Sequence, residues 1–323
     1  MNKIEIGNTP LTKSYLLSNK FGCHIYIKEE YRNPGESSKD RVAWYMIQDA
    51  LKRKKIEKGG TFVEASSGNT GISIALMASE LGYQSKIFVS KSCSDEKLEI
   101  LEKYGASVQI CDNGNGLHDF NSTQYLAQSY ASNHPNCYFT NQYYNSANIK
   151  AHYLTTGPEI WSQTAGKVTH FIAGIGTGGS ISGVGRFLKE KNSAVKIWGV
   201  EPKGSIYNAF LNSTINPEKD YSFDAIEGIG RTFIPGSFDC HAVDQVFQVS
   251  QQDAKQIARI YKKQYDHFLG FSSAAVLTSL TKNLEEMNLQ EDDHVVLYYP
   301  DFGDRYLNKL YHPKEFSEIR GLN

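Results

Sequence analysis

The chain has 323 residues, a formal net charge of −1, and 40% hydrophobic and 12% aromatic residues. That balance describes a globular protein of two-domain length with apolar material for a sizeable core, and it excludes the strong global field of a nucleic-acid binder or a polybasic membrane binder. No apolar run approaches bilayer length, and Met1-Asn2-Lys3-Ile4-Glu5 lacks the apolar stretch of a signal peptide, so a cytoplasmic protein without membrane attachment is expected.

In chain order, β-rich runs alternate with helical stretches. Strands are predicted at Ile25–Ile27, Thr61–Glu64, Lys86–Val89, Ser107–Ile110, His170–Ala173, Ile197–Val200 and Val295–Tyr299. Helices are predicted at Val42–Leu51, Ile72–Leu81, Glu96–Tyr104, Gln124–Ala131, Ile181–Glu190, Gln252–Gln264 and Ala274–Glu286. Strand–helix–strand alternation implies parallel sheets covered on both faces, hence the α/β class, in two cycles that meet near residue 145. Two open α/β layers with a cleft between them are the natural architecture, with ligands at the carboxyl ends of strands. Asn113-Gly114-Asn115-Gly116 reads as a loop tip, and Lys52-Arg53-Lys54-Lys55 as a solvated helix end that complements the macrodipole.

Five scattered cysteines, with no C-x-x-C pair, fit a reducing compartment and give neither a disulfide framework nor zinc spacing. The nine histidines show no metal-ligand spacing either, so no metal is expected.

Chemistry gathers at the strand–helix junctions. Lys39, in Asn33-Pro34-Gly35-Glu36-Ser37-Ser38-Lys39-Asp40-Arg41, lies between the strand at Ile25–Ile27 and a helix expected from Arg41. A lysine positioned in a site can act as a Schiff-base amine or a proton-transfer base. The run Glu64-Ala65-Ser66-Ser67-Gly68-Asn69-Thr70-Gly71 offers hydroxyls and free N–H groups at a helix start, suited to a carboxylate; the plainer reading is a helix cap by Ser67 or Asn69. Gly174-Ile175-Gly176-Thr177-Gly178-Gly179-Ser180 lets backbone approach a phosphate beside a helix N-terminus. Gly174, Gly176 and Gly179 also satisfy G-x-G-x-x-G, with Glu201 at the offset of a ribose-binding acid, so a nicotinamide-dependent oxidoreductase stands as a rival. Ser272, in Gly270-Phe271-Ser272-Ser273-Ala274-Ala275, fits either a cap or a partner for a heteroaromatic nitrogen.

Taken together and in this order, the segments resemble the pyridoxal-phosphate β-family of fold type II, in particular the cystathionine β-synthase catalytic core and then cysteine synthase. The matching motifs are Gly7-Asn8-Thr9-Pro10-Leu11, Asn33-Pro34-Gly35, Ser38-Lys39-Asp40-Arg41, Ser67-Gly68-Asn69-Thr70-Gly71, Asn141-Gln142-Tyr143, Ala151-His152-Tyr153, Thr155 to Ile160, Gly176 to Ser180, Ser272 and Pro300 to Leu307. The resemblance implies two domains around a cofactor cleft, a larger one from residues 1–41 plus 146–323 and a smaller one from 42–145 that closes over the substrate. It implies that Lys39 carries pyridoxal 5'-phosphate in a Schiff-base linkage. Asn69 would bond its phenolic oxygen, Gly176, Thr177, Gly178, Gly179 and Ser180 its phosphate, and Ser272 its ring nitrogen. Ser66, Ser67, Thr70 and Gln142 would bind the substrate carboxylate.

The implied reaction is ping-pong β-replacement. An amino acid with a β-leaving group displaces Lys39, which then removes the α-proton, and a thiol or sulfide adds after the leaving group departs. Lys196 to Ile206, Glu227 to Gly230, Phe233 to Pro235 and Cys93 to Lys97 resemble cystathionine β-synthase more than cysteine synthase. Both, together with β-elimination of cysteine, stay open. Glu36, Ala65, Ser66, Ser180 and Ala274 depart from the usual glycine, proline, threonine, threonine and glycine. The family further implies a homodimer acting on small amino-acid and thiol substrates. With the core occupying nearly the whole chain, neither haem nor nucleotide regulation in cis is expected.

Overall fold

The structure, a computed structural model, describes residues 4–112, 119–216 and 221–311. The loop tip expected at Asn113–Gly116 lies outside the described residues. Among the described residues the ten strands are β1 (Leu11–Lys13), β2 (His24–Glu29), β3 (Thr61–Ala65), β4 (Gln84–Ser90), β5 (Ser107–Cys111), β6 (Cys137–Phe139), β7 (His170–Gly174), β8 (Lys196–Pro202), β9 (Gln245–Val249) and β10 (His294–Tyr299). They form two sheets, β5-β4-β3-β6 and β1-β2-β10-β7-β8-β9, parallel throughout except where β1 pairs antiparallel with β2. The class is α/β, as the alternation predicts.

Backbone proximity divides the chain into two compact units. One is built on Asn33–Ala151 with the N-terminal segment up to Ile6, the other on Gly7–Arg32 and the chain from His152 onward. Residues 33–41, Lys39 among them, group with the four-stranded sheet.

The four-stranded sheet is covered on both faces. Phe62 of β3 packs with Val42, Met46, Ile47, Ile72 and Met77 from helices Lys39–Lys52 and Asn69–Glu80. Its neighbours Val63 and Ala65 point the other way, to Phe88, Cys111 and Ala127 of helix Thr123–Asn133. The six-stranded sheet repeats the pattern. Val295, Leu297 and Tyr299 of β10 face one cluster, while Val296 and Tyr298 face the other. Each such fully buried aliphatic or aromatic side chain contributes about 1.5–3 kcal/mol. This two-sided burial is why the parallel strands read as near-continuous apolar runs.

Differences from the sequence expectation are local. Strands β1 and β9 and helix Tyr15–Phe21 are additional, and the helix expected over Ala274–Glu286 is broken at Asn283 into Phe271–Lys282 and Leu284–Met287. The lysine-bearing helix begins at Lys39 rather than Arg41. Among the described residues, no helix is long and apolar enough to cross a membrane.

Candidate active site

Strand order places both candidate loops. In the smaller sheet the chain runs outward from β3 through β4 to β5, and then returns to the other side of β3 with β6. In the larger sheet it runs from β7 through β8 to β9, and then returns to the other side of β7 with β10. The crevice beyond the carboxyl ends of strands opens where the winding direction reverses. Those points lie after β3 and β6 in one unit, and after β7 and β10 in the other.

In the first unit, Lys39 and Asn69 are the first residues of two neighbouring helices, Lys39–Lys52 and Asn69–Glu80. Asp40, fully buried, accepts from the Gly35 N–H at 2.5 Å and from the Ser73 hydroxyl at 2.6 Å. The lysine loop is thereby tied to the helix that Asn69 starts. Lys39 is half-buried, with Nζ 3.4 Å from Ser38 Oγ. Glu36, where a glycine is usual in the resembled family, adopts a φ of 58°, left-handed backbone that glycine enters without strain.

The loop after β3 is not a simple cap. Gly68, in extended backbone (φ −132°, ψ −157°), holds the capping position, so neither Ser67 nor Asn69 does. Ser66 Oγ accepts from the Gly68 N–H at 3.2 Å. Ser67 Oγ accepts from the Ser90 N–H at 2.7 Å and donates to Ser90 Oγ at 3.3 Å, fastening the loop to the end of β4. Thr70 donates to Gln142 Oε1 at 2.7 Å, joining it to the loop after β6. Beneath them lies Glu64, fully buried, whose carboxyl burial pushes up to about 7 against the lowering effect of its hydrogen bonds to Thr140, Ala65 and Gln142.

In the second unit, Gly174–Ser180 leads from β7 into helix Gly179–Lys191. Gly178 caps that helix with a φ of 89°. A Cβ at Gly176 would lie 2.2 Å from the Gly228 carbonyl oxygen, and one at Gly178 would lie 2.7 Å from Phe238 Cα. Tyr207 donates to Gly176 O at 2.6 Å, and Ser237 to Thr177 O at 2.6 Å, which hold the loop from behind. His152, fully buried, bridges Ser180 Oγ (Nε2, 3.0 Å) and Thr156 Oγ1 (Nδ1, 2.9 Å). Ser272 is buried near the start of helix Phe271–Lys282, where Gly270 holds the cap, and its hydroxyl makes no hydrogen bond among the described residues.

The dinucleotide reading is corrected by Glu201. That residue is fully buried, and its carboxylate accepts from Asn208 N–H (3.0 Å) and Gln248 Nε2 (2.8 Å) at one oxygen and Tyr207 N–H (2.8 Å) at the other. It starts the short helix Tyr207–Leu211 and has no face to offer a ribose. Asp239, Cys240 and His241 bring ligand atoms within 4.8 Å of one another. The Asp239 oxygens are, however, committed to the His241 N–H and Arg186 Nε.

Sequence reasoning named Asp40, Glu64 and His152 within its motifs but gave them no role, and the structure shows each bonded to a candidate loop. The available signal was a charged or imidazole side chain next to a glycine–hydroxyl loop at a strand end.

Residues 3–301 match the family described as pyridoxal-phosphate dependent enzyme, and the chain belongs to that family. It is 37% identical over 319 residues to a cystathionine beta-synthase of Apis mellifera, covering 98% of this chain but only 62% of that relative's length. It is 34% identical over 318 residues to cysteine synthase B of Escherichia coli (strain K12), covering 98% of both. The fold superposes on the crystal structure of O-ureido-L-serine synthase with a TM-score of 0.84 at 27% identity, covering 96% of this chain and 94% of that one.

The residues present fit the family's cofactor, pyridoxal 5'-phosphate. A phosphate needs N–H donors and an approach free of side chains, and Gly176 to Ser180 give both at a helix N-terminus. A pyridine nitrogen needs a neutral partner or an acid, and Ser272 presents a buried hydroxyl not otherwise engaged. An aldehyde needs a lysine, and Lys39 opens its helix half-buried.

Proposed function

We propose that the protein catalyses β-replacement on serine or an O-activated serine with a thiol or sulfide, in the manner of a cystathionine β-synthase. The observation that carries this reading is Ser272. A hydroxyl, unlike a carboxylate, does not hold a ring nitrogen protonated. That tempers the electron sink and favours loss of a group from Cβ over deeper electron withdrawal. When bound, the cofactor supplies the electron sink that acidifies the substrate α-carbon.

The chain's residues do the rest. Lys39 would hold the cofactor, and its free Nζ would take the substrate's α-proton. Asn69 would bond the cofactor's phenolic oxygen, and Gly176, Thr177, Gly178, Gly179 and Ser180 would bind its phosphate. Ser66, Ser67, Thr70 and Gln142 orient the substrate carboxylate. All four also serve the loop's own framework, which fixes the direction of the hydroxyls before substrate arrives.

The honeybee relative and the Lys196–Ile206 and Glu227–Gly230 segments support homocysteine as acceptor. The end-to-end match to cysteine synthase B supports a second reading, O-acetylserine with sulfide. Purified protein titrated with L-serine and then O-acetylserine, each followed by homocysteine or sulfide, separates them by the product formed. Lys39→Ala is expected to reduce turnover by roughly 10²–10⁴-fold, the usual contribution of a general base. Wild-type turnover in Lys39→Ala would sink the assignment.

A further inference from the structure

We propose that Glu64 is a positioning residue for the substrate-carboxylate loop, its carboxyl group fixing the ends of β3 and β6 so that Thr70 and Gln142 meet. The inference rests on the functional reading above, since it names what orders the loop assigned there to the substrate. Three donors converge on this one side chain. Oε1 accepts from the Ala65 N–H at 2.8 Å, and Oε2 accepts from the Thr140 hydroxyl at 2.6 Å and the Gln142 N–H at 3.2 Å. Ala65 opens the loop after β3, while Thr140 and Gln142 follow β6. Gln142 in turn accepts the Thr70 hydroxyl on Oε1 at 2.7 Å, and its Nε2 lies 3.4 Å from Ala65 O. A chain of hydrogen bonds thus runs from the buried carboxylate through Gln142 to the first turn of helix Asn69–Glu80.

The two backbone N–H donors fall on different oxygens, so a carboxyl can accept both, whereas an amide in place of the acid sets its NH2 against one of them. The Thr140 hydroxyl also lies 3.1 Å from Val63 O, so it can turn to that carbonyl and accept from a protonated Glu64. An amide therefore leaves one buried N–H without an acceptor, and protonation does not. Burial raises the Glu64 carboxyl to about 7, and no charged side chain contributes to the shift. The groups acting on it are the Thr140 hydroxyl and the Ala65 and Gln142 N–H groups. Glu64 has no exposed surface, so it acts through its neighbours and not on substrate directly.

The test uses the holoenzyme and L-alanine, an amino acid with no β-leaving group, with affinity read from the cofactor's visible absorbance. At pH 8, Glu64→Gln is expected to weaken L-alanine binding about tenfold, the effect of one buried donor left unsatisfied, while pyridoxal phosphate affinity stays within about twofold. The ratio of variant to wild-type dissociation constants is expected to stay within about twofold between pH 6 and pH 8, because a protonated Glu64 still accepts both N–H groups. An unchanged L-alanine affinity or an equal loss of cofactor affinity overturns the inference. Should Glu64→Gln fail to fold, Thr140→Val removes one of the three donors and leaves the carboxylate. It is expected to weaken L-alanine severalfold at constant cofactor affinity, and wild-type affinity there overturns the inference as well. A wild-type protein that takes up no pyridoxal phosphate overturns both this inference and the functional reading. A normal cofactor band with unaltered L-alanine binding overturns this inference alone.

Discussion

The loop after β7 and the loop after β3 occupy equivalent places in their sheets, yet they hold their shapes by opposite means. The first is shaped by exclusion. Gly176 and Gly178 lie where any Cβ would strike the Gly228 carbonyl or Phe238, and buried hydroxyls grip its carbonyls from behind. The second is shaped by polar pairing, through Ser67 on Ser90, Thr70 on Gln142, and Glu64 under both strand ends. A sterically defined loop tolerates changes of charge state and fails when a side chain grows. A loop defined by hydrogen bonds tolerates small changes of volume and fails when a partner is lost or titrates.

The largest expected effect is on the polar side. The folded-state pKa of Glu64, about 7, lies above the unfolded carboxyl value. Its contribution to stability is therefore fully present below the unfolded value and is lost as pH rises through 7, amounting to on the order of 3 kcal/mol. Urea unfolding at pH 5, 6, 7 and 8 should show wild type losing stability relative to Glu64→Gln across that window. A pH-independent difference would break the contrast between the loops.

Next comes the steric side. Gly176→Ala places a Cβ 2.2 Å from a backbone oxygen that has no rotamer to swing away. Overpacking of this kind costs about 1–3 kcal/mol. The shift should appear as an affinity for pyridoxal phosphate weakened about tenfold in an absorbance titration, equally at pH 6 and pH 8. A pH-dependent loss would show that titration reaches this loop too.

Glu201→Gln removes an acceptor from beneath Tyr207 and is expected to lower the thermal midpoint through a cost of about 1–3 kcal/mol. Neither wild type nor variant is expected to bind NAD measurably. The smallest effect is expected for Ser67→Ala, which strips the Ser90 N–H of its acceptor. A cost of about 1 kcal/mol corresponds to a KM for the amino acid raised roughly fivefold, with cofactor affinity unchanged.

The sequence exposes the steric loop more fully than the polar one, for a physical reason. Glycines at a strand–helix junction announce close approach by the absence of side chains, so Gly174–Ser180 is visible without coordinates. The hydroxyls of Ser66, Ser67 and Thr70 are visible too, but not their partners. Glu64 and Asp40 are charged residues, which composition assigns to the surface, and their complete burial follows only from the folding of helices Lys39–Lys52 and Asn69–Glu80 over the sheet. Glu201 misleads for the same reason, since its spacing matches a ribose acid while its burial makes it a helix anchor. Long apolar strands such as β7 and β10 were legible. Strand β1 was too short to show a period, and β9, Gln245-Val246-Phe247-Gln248-Val249, has only three apolar residues.

The order β1-β2-β10-β7-β8-β9 bears on how the chain comes to exist. Strand β10 is the last to be synthesised, yet it is the one strand joining β1-β2 to β7-β8-β9, with His24 opposite His294 in register. At the usual pace of translation, roughly 5–20 residues per second, β2 waits on the order of tens of seconds for this neighbour. The four-stranded sheet, by contrast, lies within the contiguous stretch Asn33–Ala151 and can close while the ribosome is still at work. A nascent chain stalled before His294 would carry one finished sheet and two fragments of another, each with an open edge able to pair with a foreign strand.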